Sequence, residues 1–405
     1  MKIMKGLLIA LGLLMPCSVL TQTESVIYNF QSYPDPYYPQ SPLIFDKEGN
    51  LYGTTQGSGI VEEGTVFQLV PTSGGTWTLN TLHQFVGYPS DGDDPVAGLT
   101  IDEKGNLYGT TYAGGEGNAG VVFELSPQPD EQWSYFIPYY FSGSIGGALY
   151  GGVTLHKGAL YGTTTYGGTN GTGVVFELSP SATGDWAGTV IYNLTSSDGT
   201  FSQASPTFDG AGSLFDTMAQ NGTYGRGVVF EVSPGASGGW NGRVLHAFTG
   251  GLDGATPDGS LAIDKSGNLY GTTFYGGEFG FGAVFELTRE SNGRWTGKTL
   301  YSFTGGADGA NPYAGPTLDN AGNVYGTAVN GGIGFGSFGT GSGTVFELTP
   351  NGENWTEKTV YQFGTNDYDG VNPFGGVVFD AVGNLYGTTY RGGTAELGTV
   401  FKIAP

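Results

Sequence analysis

Short apolar runs alternate with glycine- and aspartate-rich breaks along the whole chain, and the runs recur in a fixed order. One stretch shows the order: Ser260 to Ile263, a turn Asp264 to Gly267, then Asn268 to Thr273. A glycine-rich loop from Tyr275 to Gly282 leads to Ala283 to Leu287, and a polar loop ending at Trp295 leads to Lys298 to Phe303. Runs of this length, rich in Val, Tyr, Phe and Thr and bounded by Gly, Asp and Pro, predict β-strands. They are called a, b, c and d here. Almost nothing has helical spacing.

The second run is the anchor of a repeat. It reads Gly49 to Thr55, Gly105 to Thr111, Gly158 to Thr164, Gly212 to Met218, Gly267 to Thr273, Gly322 to Ala328 and Gly383 to Thr389. The aromatic at its fourth position falls at 52, 108, 161, 215, 270, 325 and 386, a period of 53 to 61 residues. Such a unit cannot bury its apolar faces alone and is stabilised by its neighbours. Four strands per unit, arranged radially, predict an all-β, seven-bladed β-propeller with four-stranded blades.

Every tryptophan of the chain precedes a d strand: Trp77, Trp133, Trp186, Trp240, Trp295 and Trp355. The seventh unit stops at Phe401 to Pro405 with no d strand, whereas Ser25 to Phe30 reads like one yet precedes the first a strand. The N-terminal strand is therefore expected to complete the last blade and close the ring, removing an open edge. Closure makes d outermost and a innermost. Pro42, Pro206 and Pro316 at the starts of a strands fit that edge position. The predicted blades span about 40–86, 95–141, 146–194, 203–248, 257–303, 312–363 and 373–405 plus 24–30, within a propeller domain of 24–405.

Composition changes this picture little. Glycine is high, 76 of 405 residues, but sits between strands, where it punctuates turns. Aromatics at 14% allow a large core, and charged residues are only 12%. Lys2, Lys5 and the apolar run Gly6 to Met15 have the order of a secretory signal, so residues 1–22 are expected to be removed on export to an extracytoplasmic, secreted or periplasmic location. Lipid anchoring through Cys17 is the alternative; Pro16 fits it poorly. Cys17 is the one cysteine, so no disulfide, thiol nucleophile or cysteine-based metal site is expected in the mature chain. The net charge of −22 disfavours nucleic acid and anionic membranes as partners. No membrane insertion after signal removal is expected.

Candidate chemistry is sparse. The Asp-x-x-Gly-Asn turns at 46, 102, 264, 319 and 380 suggest calcium at first glance, but one acid per turn is too few for an EF-hand loop and the pattern suits an a–b hairpin. No cofactor is expected. Glu124, Glu177, Glu231, Glu286 and Glu347 share one slot in strand c with Gln68 and Lys402, which reads as a solvated strand position. His83, His156 and His246 lie in different units and form no triad by position. The d–a connections carry Asp91, Asp198, Asp253, Asp308 and Asp369, each before a glycine, and the b–c loops carry Tyr112, Tyr166, Tyr275 and Tyr390. Both kinds of connection leave one face of an up-and-down ring, so these nine residues are the candidate ligand site, for a sugar or a cell-surface component.

The Gly-Asn-Leu-Tyr-Gly-Thr-Thr, Gly-Gly and Val-Phe-Glu-Leu wording over residues 43 to 405 resembles the Gloeo/Verruco (GloVer) tandem repeat of exported bacterial proteins with varied anchors; the fourth unit departs with Phe215 to Met218. The resemblance implies export and a tandem-repeat architecture, and it carries no catalytic residues over. The order of Leu-Tyr, Gly-Gly, strand and Trp is also similar to the kelch plan. With no anchor after Pro405, a released protein is expected. Three functions fit: a non-catalytic propeller binding a glycan, cell-surface component or protein; a metal-dependent hydrolase or lyase acting on a lactone or polysaccharide; or a structural matrix protein. The a strands Leu43 to Phe45, Leu99 to Ile101, Val153 to Leu155, Leu261 to Ile263 and Val377 to Phe379 bring no acid before the turn aspartate, which favours the first.

Overall fold

The Asp-x-x-Gly-Asn turn sets five of the seven a–b hairpins. Asp46 Oδ1 accepts the backbone N–H groups of Glu48 and Asn50 at 3.0 and 2.8 Å, while Oδ2 accepts the Asn50 amide and the Tyr52 hydroxyl at 2.7 and 2.8 Å. Gly49 takes φ 88°, where a side chain would be strained. The two backbone bonds and the asparagine amide bond recur at Asp102, Asp264, Asp319 and Asp380. Replacing Asp264 with alanine should strand two N–H donors and the Asn268 amide, costing about 1–3 kcal/mol in chemical denaturation.

The computed structural model describes residues 23–31, 35–57, 62–129, 132–143, 145–182, 184–333 and 341–404. The signal segment and Cys17 lie outside the described residues. Seven antiparallel four-stranded sheets form a ring, a seven-bladed β-propeller. Blade 1 is Ile44–Phe45, Leu51–Thr55, Thr65–Pro71 and Trp77–Gln84. Blade 7 takes Val378–Phe379, Leu385–Thr389 and Thr399–Ala404 from the C-terminal end and Thr23–Asn29 from the N-terminal end. The closing strand pairs antiparallel along its length, from Thr23 opposite Ala404 to Asn29 opposite Thr399. Among the described residues the one helical element is a 3₁₀ turn at Ser196–Asp198.

The b strands are buried on both faces and the c strands nearly so, while d strands alternate between half-buried and exposed, as outermost strands should. Glycine is required inside strand b: a Cβ on Gly53 would stand 2.7 Å from Cζ of Phe67 in strand c. Core clusters form between blades rather than within them. Tyr52, Val66 and Phe85 of blade 1 pack with Leu99, Leu107, Phe123 and Leu125 of blade 2. In six blades the phenylalanine after the d strand meets the c-strand phenylalanine of the next blade edge-on, as Phe30 on Phe67 at 5.4 Å, Phe85 on Phe123 at 5.2 Å and Phe363 on Phe401 at 5.0 Å, and blade 3 has Leu194 there. Each tryptophan covers the b-strand aromatic of the preceding blade, as Trp133 does Tyr52 at 5.9 Å. The closing strand has no tryptophan, and Tyr325 packs on Phe379 instead. Aromatic contacts thus join every blade to the next around the ring, a term that grows with every Phe and Trp buried.

Two details differ from expectation. The innermost strands are two or three residues long, shorter than the sequence predicts. The chain before them is spent on contacts between neighbouring blades: Thr54 Oγ1 donates to the Ala97 carbonyl, Thr110 to Gly151, Thr217 to Gly259, Thr272 to Ala314, Thr327 to Gly375 and Thr388 to Ser41. The strand-c glutamates are also not simply solvated. Glu286 and Glu347 accept the Tyr270 and Tyr325 hydroxyls at 3.0 and 2.8 Å. In blade 4, where Phe215 has no hydroxyl, buried Glu231 pairs with Arg243 at 2.6 Å.

Candidate functional site at the channel mouth

Each d–a connection turns into its blade through one residue in the left-handed region. Tyr38, Asp94, Ala148, Phe201, Thr256, Asn311 and Asn372 have φ between 54° and 65°, and none is glycine. Non-glycine residues hold this conformation only where surroundings over-determine it. Here the carbonyl of each accepts the N–H of the residue that follows strand b, as Gln56 to Tyr38 and Phe274 to Thr256. The N–H of six of them donates to the preceding blade, as Thr256 to Arg226 and Asn311 to Phe281. The pivot is thereby pinned between two blades.

Two residues further on, the side chains of Gln40, Val96, Tyr150, Gln203, Asp258, Tyr313 and Phe374 all line one cavity of about 580 Å³ in the central channel. Asp258, 5% exposed, is its one lining carboxylate among the described residues. Gln203 Nε2 donates to Asp258 Oδ1 at 2.6 Å, and Tyr313 donates to Gln203 Oε1 at 2.8 Å. Tyr313 thus reaches from blade 6 to blade 4 across the residue of blade 5. Burial pushes the Asp258 carboxyl up to about 7, against the Gln203 bond that favours its charged form. Burial, Asp258 and Tyr150 raise the Tyr313 hydroxyl.

Aromatic rings border the mouth in two arcs. Tyr38 stacks on Tyr390 at 4.8 Å, Tyr390 meets Phe374 at 5.5 Å, Phe374 meets Tyr313 at 5.4 Å and Tyr313 meets Phe274 at 6.2 Å. Opposite them Tyr112, Tyr150 and Phe201 follow at 4.5 and 4.9 Å. Amide and carboxyl groups fill the gaps: Gln203 with Asp258 on one side, Gln56 beside Asp94 on the other. Burial and Asp93 raise the Asp94 carboxyl, while burial and the Tyr112 hydroxyl push Tyr150 up to about 12. Arg391 lies 5.6 and 5.9 Å from the Tyr38 and Tyr390 ring centroids. Alternating ring faces, amides and acids can stack on a pyranose and bond its hydroxyls.

Blade 4 departs from the repeat beneath this site. Ser202 replaces the usual proline and Asp216 the strand-b glycine. Fully buried Asp216 accepts the Ser202 hydroxyl at 3.1 and 3.0 Å and the Thr217 N–H at 2.8 Å. Burial pushes its carboxyl up to about 7, with Thr163 of the neighbouring blade beside it. The pair anchors the backbone immediately before Gln203.

The candidate residues named from sequence separate into three positions. The pairing of d–a with b–c segments, such as Ala255 with Tyr275 and Asp93 with Ala113, puts all of them on one face. Tyr112 and Tyr390 follow strand b directly and join the mouth arcs. Tyr166 and Tyr275 stand one residue later and are exposed on the outer side of the loops. The aspartates cap their own turns. Asp91 accepts from the backbone of Val86 and Gly92 and from Tyr135, and meets His83 at 3.0 Å. Asp198 accepts from Thr195 and Tyr192. Asp308 and Asp369 accept from Tyr301 with Thr304 and from Tyr361 with Thr365, while Asp253 meets His246 at 3.2 Å. None of the five lines the cavity. Among the described residues no group of three or more His, Cys, Asp or Glu is arranged to hold a metal ion.

Sequence reasoning missed Gln203, Asp258, Tyr150, Tyr313 and Phe374. The signal was present: they occupy the slot after the usual proline of the d–a connection, with Leu149 and Ser202 in the proline's place in blades 3 and 4, and the residue in that slot varies from unit to unit.

The sequence model of the Gloeobacter/Verrucomicrobia repeat matches residues 11–210, 129–339 and 203–405. No curated protein matches the sequence. Among solved structures, an ancestral GH74 enzyme is similar at TM-score 0.57 and 11% identity, over 91% of this chain and 48% of that one. A puromycin-hydrolyzing peptidase of Mycobacterium tuberculosis is similar at TM-score 0.50 and 10% identity, over 87% and 50%. A luciferin-regenerating enzyme is similar at TM-score 0.45 and 12% identity, over 79% and 93%. At these identities the likeness is one of fold.

Proposed function

We propose that this chain, which belongs to the Gloeobacter/Verrucomicrobia repeat family, is an exported, non-catalytic propeller that binds a neutral sugar at the mouth of its central channel. One observation carries the reading. Where the seven units agree, their side chains serve turns and blade packing; where they differ, at Gln40, Val96, Tyr150, Gln203, Asp258, Tyr313 and Phe374, they line a cavity of about 580 Å³, of a size for small-molecule recognition. The acidic chain disfavours anionic ligands. The amides and ring faces favour hydroxyl-rich ones.

The test is a neutral-glycan array on protein recovered from its native host. Mass spectrometry of that sample should find a start between residues 17 and 24; an intact Met1 would refute export. Gln203→Ala should weaken the bound glycan about tenfold or more by removing a buried polar partner, and should lower the melting temperature modestly because Asp258 and Tyr313 each lose a hydrogen bond. Asp258→Asn should act the same way. Retained affinity in both variants would move the site away from the mouth.

A hydrolytic reading has one observation in its favour, the Asp258 carboxyl held near pH 7, where a general acid works best. Glycoside hydrolysis ordinarily takes two carboxyl groups, and Asp258 is the one described acid in the lining. Reducing-end release from an array-positive glycan, lost in Asp258→Asn, would replace binding with catalysis.

A further inference from the structure

The mouth does not end at its rim on one side. Phe274, in contact with Tyr313 at 6.2 Å, meets Tyr275 edge-on at 4.7 Å. Tyr275 is 53% exposed, and the same b–c loop holds Phe279 and Phe281 at 50% and 42% exposure. The adjoining d–a connection adds Leu252 at 71%, tied to the loop by the Gly277 N–H donating to the Gly251 carbonyl at 2.9 Å. Large apolar side chains grouped on a surface mark a contact site. Among the described residues the Phe279 slot holds Gly117, Asn170 and Ala395 in blades 2, 3 and 7, and an aromatic in neighbouring blade 4, at exposed Tyr224.

We propose that the mouth takes one end of an extended neutral polysaccharide whose following units lie over Tyr275, Phe279 and Tyr224. The inference rests on the reading of the mouth as a sugar site. Continuity is its argument, since ring-to-ring contact runs unbroken from Tyr313 at the cavity to Tyr275 outside it. Charge agrees: the two loops offer Glu278 and Arg226, one of each sign, which leaves no field to select a charged polymer. The aromatic faces are rigid and sequence-tolerant toward successive pyranose units, and amphipathic rings of this kind bind at low entropic cost.

Neutral ladders of glucose, mannose, galactose and xylose, from monosaccharide to octasaccharide, are the probes, with affinity read by calorimetry. Affinity should climb with length over the first several units, about two- to tenfold for each stacked ring. The double variant Tyr275→Ala with Phe279→Ala, both exposed and outside the core, should lose that climb while keeping the affinity for the shortest bound member. Gln203→Ala should lower every length by the same factor. Tyr166→Ala, the equivalent exposed tyrosine of blade 3, should leave the slope unchanged. A ladder bound with no dependence on length overturns the polymer and leaves the mouth site standing. A slope equally reduced by Tyr166→Ala overturns the route over blade 5. No neutral ladder bound at any length overturns both readings.

Discussion

A chain lacking residues 23–30 should melt far below its parent and associate through the edge it uncovers. The deletion removes the outermost strand of blade 7 and exposes the unpaired groups of Thr399–Ala404. It also removes Phe30, fully buried against Phe67 of blade 1, so one short segment holds together both a blade and the first-to-last interface. Phe30→Ala alone should cost about 3–5 kcal/mol by the lost transfer and the cavity left behind. The deletion should cost more. Calorimetry with light scattering separates the two consequences; a deletion variant as stable and monomeric as its parent would contradict the closure.

Stability should be greatest in mild acid and fall as the pH rises toward neutrality. Four carboxyl groups are pushed up to about 7: Asp216 and Asp258 by burial, Glu24 by burial and Asp369, and Asp93 by burial and Glu63. A carboxyl raised in the folded state keeps its proton where the unfolded chain has released it, so its contribution is whole below about pH 4 and lost by about pH 7. Fully buried Asp216 alone would supply on the order of 3–4 kcal/mol of that fall. The half-exposed Asp93 and Glu24 add less because solvent screens them. Asp91 and Asp380 are held below the ordinary range by hydrogen bonds, and their share is present above about pH 4 and lost in stronger acid. Urea denaturation at pH 5 and pH 8 measures the difference. Asp216→Asn should shrink it markedly, and an unchanged difference would show that Asp216 stays charged throughout.

Ring, blade number, closure and strand order were legible because each rests on a signal summed over many residues: seven copies of one strand-b run, six tryptophans before d strands, a missing strand at one end and a spare one at the other. The site was less legible for a physical reason. Along a strand the side chains alternate strictly, so facing can be counted; before strand a the chain passes a left-handed pivot, past strand b it enters a loop with glycines at positive φ such as Gly114 and Gly276, and the count stops at both. Tyr112 and Tyr275 look equivalent in the text of the repeat, yet they differ by one position, and one faces the mouth while the other faces outward. The Asp-Gly connections misled in another way. A recurring acid draws attention, but recurrence follows from a need every blade shares, here the capping of a d–a turn as at Asp308. Asp258 occurs once because its requirement occurs once.

The seven pivots have a consequence for how such rings diversify. Six are pinned through their backbone to two blades and Phe201 through its carbonyl to its own, so their shape does not depend on which side chain stands two residues later. Lining and scaffold are therefore separately inherited: Gln40, Val96, Tyr150, Gln203, Asp258, Tyr313 and Phe374 form a seven-letter word that point mutation can respell one letter at a time, with the folding instructions left intact elsewhere in the repeat. A change at one of the seven letters alters the lining of the cavity and leaves the turns and the blade packing as they are.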